Sequence, residues 1–346
     1  MEPASQSEAE NVASSSATVP LAPLVVILGP TASGKSALAV SLAERFGGEV
    51  VGCDSTQAYR GFDIGTAKPT MEERHGIPHH LIDLVEPSVV FTAGEYRRRA
   101  LAVLADLQSR GRLPILTAGT GLYLRALLDG LADAPERSDA LRGRLQASAA
   151  RRGAEHLHRL LRRLDPTAAA RISASDGQKL IRALEICLLT GRPVSDVHRA
   201  GREGLKGHAV VKVGLNPPRA ALYERINRRT HAMLERGWLA EVSALIKGGA
   251  PLSAKPFEFI GYRELRDHLE KGHPLPKAVE AITQATRRYA KRQLTWFRKE
   301  SGTLWFTGFG DDADIVATTV AAIERELASL ALSSSVAPVQ PSSRPA

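Results

Sequence analysis

The first apolar run of the chain, Leu24-Val25-Val26-Ile27-Leu28, has no polar interruption. Such a run reads as a strand covered on both faces, the situation of a parallel sheet between helices. From Ala37 to Phe46 the apolar residues recur at helical spacing, so an amphipathic helix follows. Glu49 to Cys53 is a second short strand, and His79 to Leu84 another. Between Thr92 and Arg110, Ala93, Tyr96, Ala100, Val103, Leu104 and Leu107 fall on one helix face, with Gly111 beyond the end. Leu113 to Thr117 gives the next strand and Leu122 to Asp129 the next helix. Alternating strands and helices predict an α/β fold, a parallel sheet flanked by helices.

The alternation stops between residues 136 and 206. Leu141–Ala150, Ala154–Arg163 and Gln178–Leu189 are helical, with no strand between them, and fit a small helical insertion. Ala209 to Leu215 returns to the sheet. A long helix from Arg219 to Lys247 follows, then a loop punctuated by Pro and Gly and the stretch Phe259 to Leu265. A helix from about Leu275 to Glu300, a strand over Thr303–Thr307 and a helix over Ile315–Leu330 complete the pattern. The expected organisation is a core in two parts, 21–135 and 207–332, around an insertion at 136–206. Residues 1–20, rich in Ser, Ala and Glu, and the Ser/Pro tail 333–346 are expected to be disordered.

Charge sharpens this picture. The formal net charge is +9, which favours a polyanionic partner. Residues 136–206 hold 15 Lys/Arg against 8 Asp/Glu, so about +7 of that charge sits in the insertion. It is either a solvated face or the footprint of a nucleic acid. Arg287 to Lys299 adds six basic residues and no acidic one, with Tyr289, Trp296 and Phe297 interleaved. That mixture suits phosphate contacts with base stacking, while Trp296 and Phe297 have core burial as the alternative. The two cysteines, Cys53 and Cys187, have no metal-type spacing and suit a reducing, cytoplasmic setting. No apolar run approaches the roughly 20 residues that span a bilayer. Met1–Pro20 contains no Lys or Arg, so a secretory or transit leader is not expected.

The strongest chemical signal is Gly29-Pro30-Thr31-Ala32-Ser33-Gly34-Lys35-Ser36, placed between the first strand and the first helix. This is the P-loop pattern in the context it requires. The glycines let successive backbone N–H groups turn around an anion, and the helix start adds its positive end. Lys35 is a mobile point charge for a phosphate, and Ser36 is the expected Mg²⁺ ligand. The chain therefore binds a di- or triphosphate. Asp54, at the end of the second strand, should face the same crevice. Gln57 to Pro69 is a polar loop that either holds substrate or is plain surface. His79 and His80 are adjacent and point to opposite faces of a strand, which argues against a shared metal. The strand at Leu113–Thr117 runs into Ala118-Gly119-Thr120 rather than an Asp, so hydrolytic ATPase chemistry is disfavoured.

Several stretches together resemble one family, the bacterial tRNA dimethylallyltransferases. They are Gly29–Ser36, Asp54-Ser55-Thr56-Gln57, Asp63–Pro69 (DIGTAKP), Gly119–Tyr123, Arg182-Ala183-Leu184-Glu185, Gly261-Tyr262-Arg263 and Lys291–Arg298 (KRQLTWFR), in family order from about Leu24 to Gly302. The resemblance implies a P-loop NTPase-like fold. It also implies transfer of a dimethylallyl group from dimethylallyl diphosphate to N6 of adenosine-37 in tRNAs reading codons that begin with U, with Mg²⁺. Asp54 matches the family's general base, and Thr120 a position contacting the flipped adenosine. Lys35 and an arginine on the helix after Arg219, here assigned to Arg225, would stabilise the leaving diphosphate. Ser55, Thr56, Gln57, Arg142, Gln178, Lys179, Leu180, Ile181, Arg182, Gly261, Tyr262, Arg263, Lys291, Arg292 and Gln293 correspond to positions holding the tRNA. A soluble, cytoplasmic monomer is expected. Two departures stand out: Ala118 where the family usually has Gly, and Lys179 where it commonly has Arg. The competing readings are an isopentenyltransferase for free adenine nucleotides, a P-loop small-molecule kinase, and a non-catalytic RNA-binding module switched by nucleotide.

Overall fold

The computed structural model describes residues 21–335. β1 (Ala22–Leu28) leads through the P-loop into α1 (Lys35–Phe46), β2 (Glu49–Cys53) and the two-residue β3 (His79–His80). Then come α2 (Ala93–Ser109), β4 (Pro114–Ala118) and α3 (Gly121–Leu128). The insertion contributes α4 (Asp139–Arg152), α5 (Ala154–Leu164), α6 (Pro166–Arg171), α7 (Gly177–Thr190) and α8 (Val194–Arg199). The chain closes with β5 (His208–Leu215), α9 (Arg219–Glu235), α10 (Trp238–Lys247), α11 (Tyr262–Lys271), α12 (Leu275–Phe297), β6 (Thr303–Phe306) and α13 (Ala313–Ser335).

The strands form one sheet in the order β3-β2-β4-β1-β5-β6, and every pair is parallel. The expected α/β sheet is borne out. Its two faces explain the uninterrupted apolar run of β1. Leu24, Val26 and Leu28 pack into the core shared with α2, α3, α10, α11 and α12. Val25 and Ile27 pack on the opposite side with residues of α1 and α13. The insertion closes a separate apolar cluster, centred on Leu157, Leu161, Leu180 and Leu184.

Three local expectations need correction. The strand expected over His79–Leu84 stops after two residues because Leu81 and Asp83 take positive φ, 64° and 53°, and turn the chain away from its neighbour. The single helix expected over Arg219–Lys247 is broken at Gly237, whose φ of 96° ends α9 and starts α10 in a new direction. The tail expected to be disordered from residue 333 is helical through Ser335; residues 1–20 and 336–346 lie outside the described residues. Among the described residues no helix is long and apolar enough to cross a membrane.

Candidate active site

In a parallel sheet every strand ends on the same edge, so the loops after β1, β2 and β4 converge. They do so around a cavity of about 750 Å³. Its polar lining includes the P-loop, Asp54, Arg225 and Arg229, and its apolar lining Met233, Trp238, Phe259, Ile260 and Ile282.

The P-loop bends as its glycines allow, with Gly34 at φ 85°. A β-carbon on Gly34 would strike Gly310 and Asp311, so the position is closed to larger residues by space as well as by backbone angle. Lys35 Nζ lies over the loop and donates to the carbonyl oxygens of Gly29 (2.9 Å) and Pro30 (2.7 Å). Burial pulls the Lys35 ammonium down to about 8; the Asp54 carboxylate opposes the fall and Arg229 adds to it. Ser36 is exposed and lines the cavity beside Lys35.

Asp54 lines the same cavity. Its Oδ1 accepts from the Thr56 N–H (2.9 Å) and hydroxyl (2.8 Å), which fixes the carboxylate plane. Its Oδ2 points at Gly119, where a β-carbon would collide with it. Gly119 and Thr120 both donate their N–H to Cys53 O at 3.0 Å, stitching the β2 and β4 ends together. Ala118 is the buried last residue of β4, so the departure from Gly-Gly-Thr falls where only a strand residue is needed. Thr120 does not line the cavity. Its hydroxyl accepts from the Ser55 N–H (3.0 Å) and donates to the Ser55 hydroxyl (3.2 Å).

Gln57 lines the cavity, and its Nε2 donates to the carbonyls of Thr66 (3.2 Å) and Ala67 (3.1 Å). That loop is held in turn from α10 and α11. Glu241 accepts from the N–H groups of Asp63 and Ile64, and from the Tyr262 hydroxyl at 2.6 Å, which itself accepts from Gly65 N–H. Lys68, almost wholly buried, ties the loop to Asp63 and Asp83. The polar stretch Gln57–Pro69 is therefore a fixed wall of the cavity.

The residues expected to hold RNA separate into two groups. Gln178, Lys179, Arg263, Lys291 and Arg292 are exposed. Leu180 and Ile181 are buried in the insertion's core and offer no surface to a ligand. Tyr262 is fully buried, and Gly261 is hemmed in by the Trp238 ring. Arg142 and Arg182 both turn onto Glu185, whose side chain has no exposed surface. Burial would raise that carboxyl, but hydrogen bonds from Arg142, Arg182 and Ser138 N–H outweigh it and bring it down to about 2. On α12 Phe297 is buried and Trp296 packs against Gly121, whereas Tyr289 lines the cavity and donates to Gly119 O (3.1 Å). Trp296 and Phe297 therefore take the core alternative, while Arg288, Lys291 and Arg292 are exposed and Arg287 is half-buried, donating to Asn227 Oδ1. Gln293, expected at the RNA, is 6% exposed. Its Oε1 accepts from Thr31 N–H (2.8 Å) and its Nε2 donates to Gly119 O (2.6 Å), so it joins the P-loop to the wall that supports Asp54.

Arg225 lines the cavity with its guanidinium paired to Asp311. Arg229, one turn further on α9, shares that face, which its i+4 spacing in the sequence already signals. Burial, and then the charge of Arg225, hold Arg229 below the ordinary arginine range.

Among the described residues no group of three or more His, Cys, Asp or Glu could hold a metal ion. A single hydroxyl, Ser36, beside a phosphate cradle fits Mg²⁺, which takes most of its ligands from phosphate oxygens and water.

A P-loop whose sheet carries a carboxylate at the end of β2, and none at the end of β4, defines a phosphate-binding α/β protein outside the hydrolytic plan. Residues 57–300 match the model of the IPP transferase family, and the chain belongs to that family. It is 52% identical over 293 residues to the tRNA dimethylallyltransferase of Koribacter versatilis, covering 85% of this chain and 95% of that one. It is also 52% identical over 298 residues to that of Solibacter usitatus, with 86% and 97% covered. Among solved structures, the tRNA isopentenylpyrophosphate transferase of Bacillus halodurans is similar at 39% identity and a TM-score of 0.65, covering 90% of this chain and 98% of that one. A eukaryotic dimethylallyltransferase acting on tRNA superposes with a TM-score of 0.77 at 27% identity, over 89% of this chain and 80% of that one.

Proposed function

We propose that this chain transfers a dimethylallyl group from dimethylallyl diphosphate to N6 of adenosine-37 in tRNAs reading codons that begin with U. The observation that carries the reading is that Asp54 lines the same cavity as the P-loop and Lys35. The diphosphate lies in the P-loop, with Lys35, Arg225 and Arg229 around it. The five-carbon group lies along the apolar wall of Met233, Trp238 and Ile282. When bound at Ser36, Mg²⁺ supplies positive charge to the diphosphate.

An exocyclic adenine amine is a weak nucleophile, and the base must leave its stack to reach a recessed site. Asp54 Oδ2, the oxygen not engaged by Thr56, takes a proton from N6 as N6 bonds to C1 of the dimethylallyl group. The C1–O bond breaks and its electron pair leaves with the diphosphate. Positive groups fixed in advance lower the cost of that developing charge. Exposed basic residues of α12 and the insertion meet the phosphates of the RNA.

The deciding assay incubates the protein with dimethylallyl diphosphate, Mg²⁺ and unmodified tRNA, then digests the RNA and weighs its nucleosides. A dimethylallyl mass increment on adenosine is expected. Consumption of ATP with RNA and prenyl donor unchanged would instead point to a kinase.

A further inference from the structure

Asp311 lies in the short connection between β6 and α13, beyond the residues that match the family model. It does not line the cavity. Its carboxylate meets Arg225 through two hydrogen bonds, Nη1 to Oδ1 at 2.8 Å and Nη2 to Oδ2 at 2.6 Å. The Phe309 ring lies against the same guanidinium, 4.6 Å from its central carbon. One edge and one face of the Arg225 head group are thus set by a single loop.

That loop is itself fixed to the P-loop. Gly310 N–H donates to Ser33 O at 2.9 Å, and a β-carbon on Gly310 would strike Gly34 O. The Asp312 carboxylate accepts from Phe309 N–H at 2.9 Å, closing the loop at the start of α13. A guanidinium carries five N–H donors. Asp311 takes two, and three remain for a second anion.

We propose that Asp311 is a positioning residue: it holds Arg225 so that the remaining donors of the guanidinium face the diphosphate cradle. The inference rests on the reading of Arg225 as a diphosphate ligand. An arginine on a flexible stem gains most when its orientation is set before the anion arrives. The Arg225 pairing also holds the Asp311 carboxyl below its usual range, so the counter-charge persists through neutral pH.

A double-mutant cycle tests this on the full chain, with prenyl diphosphate and tRNA varied separately. R225A is expected to lower kcat about 100-fold, the scale set by removing one charge-stabilising donor. D311A is expected to lower kcat about tenfold and raise KM for the prenyl diphosphate, with KM for tRNA unchanged. D311N, which keeps one acceptor, falls between D311A and wild type. The double variant is expected to match R225A, because Asp311 has no target left. An equal D311A penalty in the R225A background would overturn the inference and show a general role in loop folding. Higher activity in D311A would overturn it as well, since Asp311 would then compete with the diphosphate. An impaired R225A beside an unaltered D311A defeats this inference alone. An unaltered R225A defeats the diphosphate assignment of Arg225 as well.

Discussion

The carboxylate of Asp54 occupies the space that a side chain at residue 119 would need. Oδ2 faces the α-carbon of Gly119 with no room for a β-carbon, while Thr56 holds the other oxygen. The glycine is required for this close approach, and the acid it accommodates is the one proposed to accept a proton.

G119A is therefore expected to push Asp54 out of position and to resemble D54A. General-base contributions run to about 10²–10⁴-fold, and both variants should lose turnover on that scale. Both should keep tRNA binding, measured by filter retention at fixed salt. An active G119A would show that Asp54 tolerates displacement, and so is not the base.

Lys35 is expected to set a limb of the pH profile. With its ammonium near 8 in the free protein, the charge is present below that pH and lost as pH rises through it. The value of kcat/KM for dimethylallyl diphosphate should fall above pH 8. K35R, which stays charged, should flatten that limb while retaining some activity, and K35M should lose both activity and limb.

Arg142 and Arg182 divide fold from binding. Removing either leaves the buried Glu185 short of a partner, so R142A should destabilise the protein by about 1–3 kcal/mol in a urea titration. Its effect on the salt dependence of tRNA binding should be small. K291A and R292A, on the exposed side of α12, should instead lower the salt slope by about 1 each with stability unchanged.

Gln293 spans the two halves of the site. Q293A frees Thr31 N–H and leaves Gly119 O to the Tyr289 hydroxyl alone, at a cost of about 1–3 kcal/mol. KM should rise for both substrates, since one amide orients both walls. A change confined to tRNA would restore its role as an RNA contact.

How far the sequence reaches depends on the range over which each feature is decided. Strand and helix alternation, the P-loop and the placing of Asp54 at a strand end follow from spacing within one or two elements, where side-chain periodicity and glycine backbone freedom act locally. Those were sufficient for the α/β sheet and for the crevice at its carboxyl edge. The break at Gly237 was not legible, because glycine is tolerated inside helices and only the seat of Trp238 against Gly65 and Gly261 made the turn favourable. Nor could composition tell Arg142 from Lys291. Both are basic residues on helices, and only packing placed a fully enclosed carboxylate beside the first. Gln293 and Gly119 are 174 positions apart, and nothing in either neighbourhood announces their hydrogen bond. Local sequence chose the elements and the chemistry they carry. Tertiary packing decided which polar groups face the ligand and which are used up holding the site in shape, because a buried donor or acceptor must find a partner wherever the fold supplies one.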